Sequence, residues 1–350
     1  MGGTKGYRSY RGRTSKGKIA LAVVLVLIIL AAVGFLWLQE YIVYDADGNA
    51  RLDLPWRQEA SVPPAEEEDP LQNVEITVQE PEAPAELAAF SAGAAPLTRA
   101  AWQETWMGAT MMSAPAWNAA AVTLKDSAGH ICFAAAGAAA GTVSTAEDTA
   151  AALTEVTESD FHTIARMSCF LDPIAARADV EGMGLKNTGG YIYYDGNDLN
   201  WLDPSKPAAR QYLCGLAQEI AALGFDEILL TDVGYPTTGP LDKIDYNGAD
   251  RAESIRTFLE ELRSALAEYD VVISIELPAE VLTAGTDDAA GLVLADIAPL
   301  VDRIYAVTTS DQIPALTAAV TAASEATDFA AELTAYGPDV TGSCLILPQA

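Results

Sequence analysis

The sequence has 350 residues, of which 49 are acidic and 20 are basic, so its formal net charge is −29. A surface this acidic repels nucleic acid, so we expect no nucleic-acid partner. Only two histidines and no C-x-x-C pair are present, so we expect no metal site and no cofactor. Four cysteines permit up to two disulfides in three connectivities. All four lie in apolar runs, which favours buried thiols: Cys132, Cys169, Cys214 and Cys344.

The N-terminal region has the pattern of a membrane anchor. Residues 1–18 contain six basic and no acidic side chains, and residues 19–38 follow without a polar side chain. Twenty helical residues span about 30 Å, the thickness of a bilayer's hydrocarbon core. Because basic residues stay in the cytoplasm, we expect a single-pass signal-anchor in the cell membrane with the rest of the chain extracytoplasmic. A cleaved signal peptide is the alternative, although its apolar region is usually shorter, about 7–15 residues.

The segment after the apolar run divides into two parts. Residues 39–56 contain two short β-prone stretches around Asp45-Ala-Asp-Gly48, which predicts a short β-hairpin with an Asp/Gly turn. Residues 57–86 are acidic and rich in proline, a composition that does not bury a core and behaves as an extended spacer. We expect this disordered linker to hold the following domain clear of the bilayer.

Residues 87–350 alternate between strand-like and helix-like patterns. Eight apolar runs predict strands: 87–91, 119–124, 162–170, 227–231, 271–277, 303–307, 329–334 and 343–347. Six helical patterns separate most of them: 97–112, 147–158, 206–222, 249–268, 291–300 and 311–325. This order predicts an α/β fold, a (β/α)8 TIM-type barrel, with no helix before the last strand. An open doubly wound sheet is the alternative, but no Gly-rich phosphate loop follows any strand.

Two carboxylates lie at the C-terminal ends of neighbouring predicted strands. Asp232 follows the fourth strand and Glu276 ends the fifth, and active sites of TIM barrels form at this end of the strands. Adjacent strands lie about 4.8 Å apart, so the two carboxylates suit the paired-acid chemistry of glycoside hydrolysis. Acids at strand ends also serve as helix caps and solvated loop residues, and this alternative stays open.

Further polar and aromatic side chains follow the predicted second, third and fourth strands. In a cleft, the charged ones would orient a substrate and the aromatic rings would stack on a sugar, although both also serve packing. Thr308 and Glu332, near the ends of later strands, are additional polar groups. The candidate substrate-binding residues are Lys125, Asp126, Arg166, Asp172, Trp201 and Tyr235.

Four stretches resemble a known family. Asn118–Asp126 with Gly129–Phe133, His162–Pro173, Trp201–Lys206 with Leu223–Ile228, and Val233–Pro236 occur in the order in which that family carries its motifs. The chain resembles the bacterial "putative glycosyl hydrolase domain" family, TIM-barrel domains similar to α-amylase-type glycoside hydrolases. The resemblance covers about residues 87–310 and implies a barrel that acts on glycan.

The chain departs from the family at acidic positions. The family's acid on the second strand corresponds to Thr123, its acid on the fourth strand to Thr231, and its Arg after that strand to Gly234. Asp232 is displaced by one residue, which in a regular strand turns a side chain to the other face. It reaches the pocket only if the strand ends in a bulge or turn there. The acid of the fifth strand is kept as Glu276.

Together these features predict a membrane-anchored, extracytoplasmic glycoside hydrolase. We expect it to act on cell-envelope or environmental polysaccharide, with Glu276 as acid/base and Asp232 as its partner. The alternative is a catalytically inactive glycan-binding or scaffold protein that kept the barrel and lost the acids.

Overall fold

The computed structural model describes residues 86–111 and 115–347, two short strands at 42–44 and 50–52, and the single residue Leu30. Strands Ile42–Tyr44 and Ala50–Leu52 pair antiparallel, in agreement with the predicted hairpin. The basic tail, the linker and, apart from Leu30, the predicted anchor lie outside the described residues. Within the described part of the chain, no helix has the length and hydropathy needed to cross a membrane.

The main unit is a closed barrel of eight parallel strands in chain order. Hydrogen bonds join each strand to the next, and the eighth pairs with the first through Cys344–Ala88 and its neighbours. The strands are β1 (Ala88–Ala92), β2 (Ala119–Lys125), β3 (His162–Ser168), β4 (Glu227–Thr231), β5 (Val272–Glu276), β6 (Arg303–Val307), β7 (Asp328–Leu333) and β8 (Ser343–Ile346). The TIM-type barrel prediction is confirmed.

Helices cover the outside of the barrel between most strands. No helix joins β7 to β8 in the described residues 334–342, as the sequence predicts, and the barrel nevertheless closes because β8 pairs on both sides. The helices are α1 (Arg99–Thr110), α2 (Thr149–Thr157), α3 (Pro173–Ala178), α4 (Pro207–Ala222), α5 (Arg251–Ala265), α6 (Ala279–Ala284), α7 (Leu294–Ile297) and α8 (Ile313–Ala323).

Several short elements that the sequence did not predict build the loops after β3, β4 and β5. They include α3, α6 and two antiparallel pairs of two-residue strands. Elements this short lack the length over which hydrophobic periodicity is visible. All of them follow the C-terminal ends of barrel strands, and α6 and the strand pair after it form part of the wall of the cavity described below.

Alternate positions of each strand fill the barrel interior. The inward-facing apolar cluster contains four alanines among its nine members: Leu87, Ala89, Ala119, Ala121, Ile164, Leu229, Tyr305, Ala330 and Leu345. Small side chains leave room for long ones from the opposite wall, because a barrel of this size is packed solid. The outward faces pack on the helices in a separate, larger core.

The cysteines belong to this packed interior. Cys132, Cys169, Cys214 and Cys344 are all buried free thiols. The preference for buried thiols over disulfides is therefore confirmed.

A buried ionic cluster closes the N-terminal end of the barrel interior. Glu227 of β4 is completely buried and contacts the guanidinium of Arg303 of β6. The ring Nε2 of His162 lies 2.8 Å from a carboxylate oxygen of Glu227. Burial alone would raise the pKa of Glu227, but the His162 hydrogen bond and the charge of Arg303 outweigh it and lower that pKa. The ionised form of Glu227 therefore depends on His162 and Arg303.

We expect Arg303→Ala to lower the free energy of unfolding by about 3–5 kcal/mol, since it leaves the Glu227 carboxylate buried beside an empty space. Arg263→Ala is the matched control, because its ion pair with Asp302 is exposed and contributes at most about 1 kcal/mol. Denaturant unfolding of the full chain measures both. Equal losses in the two variants would show that Glu227 does not depend on Arg303.

Candidate active site

A cavity of about 500 Å3 opens at the C-terminal ends of β4 and β5. Its volume lies within the usual range for small-molecule sites, about 300–1,000 Å3. Four carboxylates line it, and no basic side chain is among the described lining residues. Aromatic side chains form another part of the wall. The lining includes Asp232, Glu276, Glu280, Asp287, Trp201 and Tyr235.

Glu276 reaches the cavity from the barrel interior, where it is paired with Arg166. Nη2 of Arg166 lies 2.8 Å from Oε2 of Glu276, and Nη1 lies 3.3 Å from Oε1 of Glu332 on β7. Arg166, Glu276 and Glu332 all occupy inward positions, because each lies two residues beyond an interior position of its own strand. The guanidinium thus bridges two carboxylates on β5 and β7, which are separated only by β6.

The environment raises the pKa of both acids. Burial raises the pKa of Glu276, the positive charge of Arg166 opposes this, and the negative charge of Asp232 adds to it. Burial raises the pKa of Glu332 to about 7, opposed by Arg166 and reinforced by Glu276. A carboxyl whose pKa is raised keeps a proton nearer neutral pH, as a general acid requires.

Asp232 reaches the cavity through a left-handed turn. Its φ is +52°, so the backbone leaves the extended conformation directly after β4. Oγ of Ser168, at the end of β3, donates a hydrogen bond of 2.6 Å to Oδ2 of Asp232. The condition set by the sequence comparison, a turn at the end of this strand, is therefore met. Thr231 takes the inward position that the family's acid occupies, and Asp232 lines the cavity from the next position.

Gly234 replaces the family's Arg for a local steric reason. Its φ is +141°, and a Cβ atom there would lie 3.0 Å from the carbonyl oxygen of Ala290. An L side chain does not fit this backbone without strain. The loop after β4 therefore follows a course in this chain that only glycine allows.

Three of the predicted substrate-binding residues lie elsewhere. The side chains of Lys125 and Asp172 are 1% and 0% exposed and form an ion pair of 3.0 Å. Lys125 also donates to the carbonyl oxygen of Ser168, and Asp172 caps α3 by accepting from the amide of Ala175. Asp126 accepts hydrogen bonds from the turn that contains His130. This placement differs from the expected one: Lys125 and Asp172 hold the ends of β2 and β3 together, Asp126 holds its own turn, and none of the three is among the residues that line the cavity.

The other three predicted binding residues are part of the cavity region. Arg166 lies beneath it, and Trp201 and Tyr235 line it. Nε1 of Trp201 donates to Asp195, which fixes the indole ring. Tyr235 is only 2% exposed and packs edge-on against Tyr246. Trp201 is thus the aromatic side chain available for contact with a ligand, and Tyr235 mainly packs the wall.

Four residues at or beside the cavity were not predicted from the sequence as members of the site. Glu332 was noted only as an additional polar group, and Ser168, Glu280 and Asp287 were not singled out. One signal was present for Glu332, since a charged residue interrupts the apolar strand Phe329–Leu333. Glu280 and Asp287 lie in α6 and the short strand after it, whose positions depend on tertiary contacts. In the described residues, no group of three or more His, Cys, Asp or Glu side chains is arranged to hold a metal ion.

The left-handed turn at Asp232 predicts a difference between two variants that remove the same carboxylate. Residues other than Gly, Asn and Asp are strained at positive φ, and alanine is one of them. We therefore expect Asp232→Gly to be about 1 kcal/mol more stable to unfolding than Asp232→Ala. Both variants lose the hydrogen bond from Ser168, which makes them a matched pair. Denaturant unfolding measures the difference, and equal stability would contradict a left-handed turn.

Comparison with known protein families identifies the family of this chain. The profile described as "Putative glycosyl hydrolase domain" matches residues 99–308, which is more than half of the chain. Among curated proteins, no significant match is found.

The solved structures that match this chain include three bacterial proteins. A hypothetical protein from Ruminiclostridium thermocellum ATCC 27405 is 25% identical over 54% of this chain and 96% of its own, with a TM-score of 0.43. The glycoside hydrolase domain of PelA from Pseudomonas aeruginosa is 12% identical over 71% and 84%, with a TM-score of 0.38. That of PgaB (BpsB) from Bordetella bronchiseptica is 15% identical over 61% and 74%, with a TM-score of 0.43. By the profile match over residues 99–308, this chain belongs to the "putative glycosyl hydrolase domain" family.

Proposed function

We propose that the protein is a glycoside hydrolase that uses Glu276 and Asp232 as its pair of catalytic carboxylates. One observation carries the proposal: both side chains line a single cavity at the C-terminal ends of the adjacent strands β4 and β5. Active sites of TIM barrels lie at this face, and hydrolysis of a glycosidic bond needs two carboxyl groups on either side of it. Membership of the family supports the same chemistry.

The surroundings of the two carboxylates suit different roles. Glu276 has a raised pKa because it is partly buried and faces Asp232, so it is suited to protonate the leaving oxygen. Asp232 accepts a hydrogen bond from the Ser168 hydroxyl, which holds its carboxylate in place to act as nucleophile or base. Arg166 anchors Glu276 from below and limits the rise of its pKa.

The negative charge of the cavity limits which sugars can bind there. Asp232, Glu276, Glu280 and Asp287 supply negative charge, and no described lining residue supplies a positive one. Sugars that carry carboxylate, sulfate or phosphate groups would be repelled, whereas neutral sugars and sugars with a free amino group would not. The half-buried ring of Trp201 offers a face on which a sugar ring stacks. We therefore propose a neutral or amino-bearing polysaccharide of the cell envelope or the environment as the substrate class.

Hydrolysis by wild type and by Glu276→Gln tests this mechanism. General acid catalysis contributes about 10²–10⁴-fold, so we expect Glu276→Gln and Asp232→Asn each to lower kcat by at least about 100-fold. Glu253→Gln is the control, since Glu253 is exposed on α5 and pairs with Arg256. Neutral, amino-bearing and uronic-acid polysaccharides are the substrates to compare by release of reducing ends.

Two outcomes would oppose the proposal. Equal turnover by wild type and Glu276→Gln would remove Glu276 from the mechanism. Binding of glycan without turnover by wild type would favour the non-catalytic, glycan-binding alternative.

We also propose that residues 19–38 tether the protein to the cell membrane with the barrel on the extracytoplasmic side. The support is the apolar run of twenty residues behind six basic side chains. The full chain should remain in the membrane pellet after an alkaline carbonate wash, and protease added from outside should cut it.

Leu25→Lys with Leu30→Lys should release the chain from the membrane, because each charge at the centre of an anchor costs about 2.5–3.5 kcal/mol. Leu241→Lys, far along the chain, controls for the added charge. Recovery of a soluble product that has lost its first residues would instead support a cleaved signal peptide.

A further inference from the structure

Asp195 is a buried acid in the loop after β3, and the proposed mechanism gives it no role. Its exposed fraction is only 6%. Oδ1 accepts hydrogen bonds from the backbone N–H groups of Asn197, at 2.8 Å, and Leu199, at 2.9 Å. Oδ2 accepts from Nε1 of Trp201 at 2.9 Å. Removing a carboxylate from water is costly, so the burial of Asp195 calls for an explanation beyond the turn that it stabilises.

The turn alone does not account for a buried carboxylate. Asp126 accepts from the backbone N–H groups two and four residues ahead in the same way, while its side chain is 30% exposed. Asn187, also in the loop after β3, forms the same pair of hydrogen bonds through an amide oxygen. A turn of this kind thus needs one oxygen and neither burial nor charge. The feature that sets Asp195 apart is its second oxygen, which accepts from the indole of Trp201.

The main chain of Trp201 is held independently of Asp195. Trp201 forms an isolated antiparallel bridge with Leu171, shortly after β3. Its carbonyl oxygen accepts from the backbone N–H of Leu185 at 2.8 Å. These bonds fix the backbone, but they do not set the rotation of the indole about its two side-chain torsions. The hydrogen bond from Nε1 to Asp195 restrains that rotation.

The ring that Asp195 holds lines the cavity of the two proposed catalytic carboxylates. Trp201, Asp232 and Glu276 are all part of the cavity wall, and Trp201 is half-buried there. An aromatic ring whose orientation is already fixed loses little conformational entropy when a sugar stacks on it. Fixing the ring therefore strengthens sugar binding at this position, without any contact between Asp195 and the sugar.

We propose that Asp195 is a positioning residue that holds the ring of Trp201 as a stacking platform for a sugar unit of the substrate. This inference rests on the proposed function, because it takes a glycan as the ligand of the cavity. Asp195 acts on the ring and not on the proton transfers of Glu276 and Asp232. Its contribution is therefore the same in the bound substrate and in the transition state, so it lowers KM and leaves kcat nearly unchanged.

Asp195→Asn separates the two functions of this side chain. The amide oxygen still accepts from the two backbone N–H groups of the turn, as that of Asn187 does in its own turn. The amide nitrogen then faces Nε1 of Trp201, and two N–H donors do not bond to each other. Asp198→Asn is the matched control, because Asp198 is exposed and has a φ of +60°, which asparagine also adopts.

NMR of the indole N–H groups tests the contact in the full-length chain without any need for turnover. The Trp201 signal is assigned by its loss in Trp201→Phe. In wild type its proton should exchange with deuterium at least about tenfold more slowly than that of the exposed Trp106, because the hydrogen bond to Asp195 protects it. Asp195→Asn should remove most of this protection, and Asp198→Asn should keep it.

Undiminished protection of Trp201 in Asp195→Asn would overturn the proposal. Should that variant fail to fold, the wild-type signal decides: exchange as fast as that of Trp106 would refute a fixed ring.

Hydrolysis of soluble chitosan, as an amino-bearing probe, and of dextran, as a neutral probe, tests the consequence for the substrate. We expect Asp195→Asn to raise KM by about 3–10-fold, the range of one aromatic contact, with a change in kcat below about twofold. In the Trp201→Phe background, the same substitution should add less than about twofold, because the N–H that it affects is already gone. Asp198→Asn should leave both constants unchanged.

Equal effects of Asp195→Asn in the two backgrounds, or a loss in kcat alone, would contradict the positioning role even if the protein is a hydrolase. If wild type binds one of the polysaccharides without turnover, the proposed function fails. The dissociation constant then replaces KM in the same comparison, and a 3–10-fold rise confined to the Trp201 background would uphold this inference. Failure of wild type to bind either polysaccharide would refute the platform.

Discussion

The interior of a closed eight-stranded barrel must be filled by the side chains at alternate strand positions, and this constraint governs the rest of the structure. Alanines at Ala89, Ala121 and Ala330 take little of that volume. Their small size leaves space for Arg166 to extend across the barrel to Glu276 and Glu332. The C-terminal end of the barrel interior thus depends on the packing of the layer beneath it.

Charge is buried at both ends of the barrel, with different consequences. At the N-terminal end, Glu227 has enough partners for its pKa to be lowered, so the group remains ionised and stabilises the fold. At the C-terminal end, burial raises the pKa values of Glu276 and Glu332, and the single Arg166 that they share only partly opposes this rise. The first arrangement is typical of a structural ion pair, and the second is typical of sites where protons are transferred.

Most of the fold was predictable from the sequence, and part of the site was. All eight strands and six of the helices were expected, because long periodic patterns record which face of an element is buried. Asp232 and Glu276 line the cavity, and Arg166 contacts Glu276, whereas their chemical roles stay a prediction. Lys125, Asp126 and Asp172 do not line it, and the sequence could not show this, since a charged residue at a strand end looks the same in a sequence whether it faces a cavity or pairs with a neighbour. Only the packing around it separates the two cases.

The sequence by itself determined the barrel, its strand order and the acidic character of the chain, because these depend on composition and on local periodicity. The tertiary structure alone decided how the acids are used. The positive φ at Asp232 turned a displaced carboxylate into the cavity, and Arg166 joined two glutamates that are 56 positions apart in the chain. Such contacts form between distant strands when the barrel closes, so no local pattern records them.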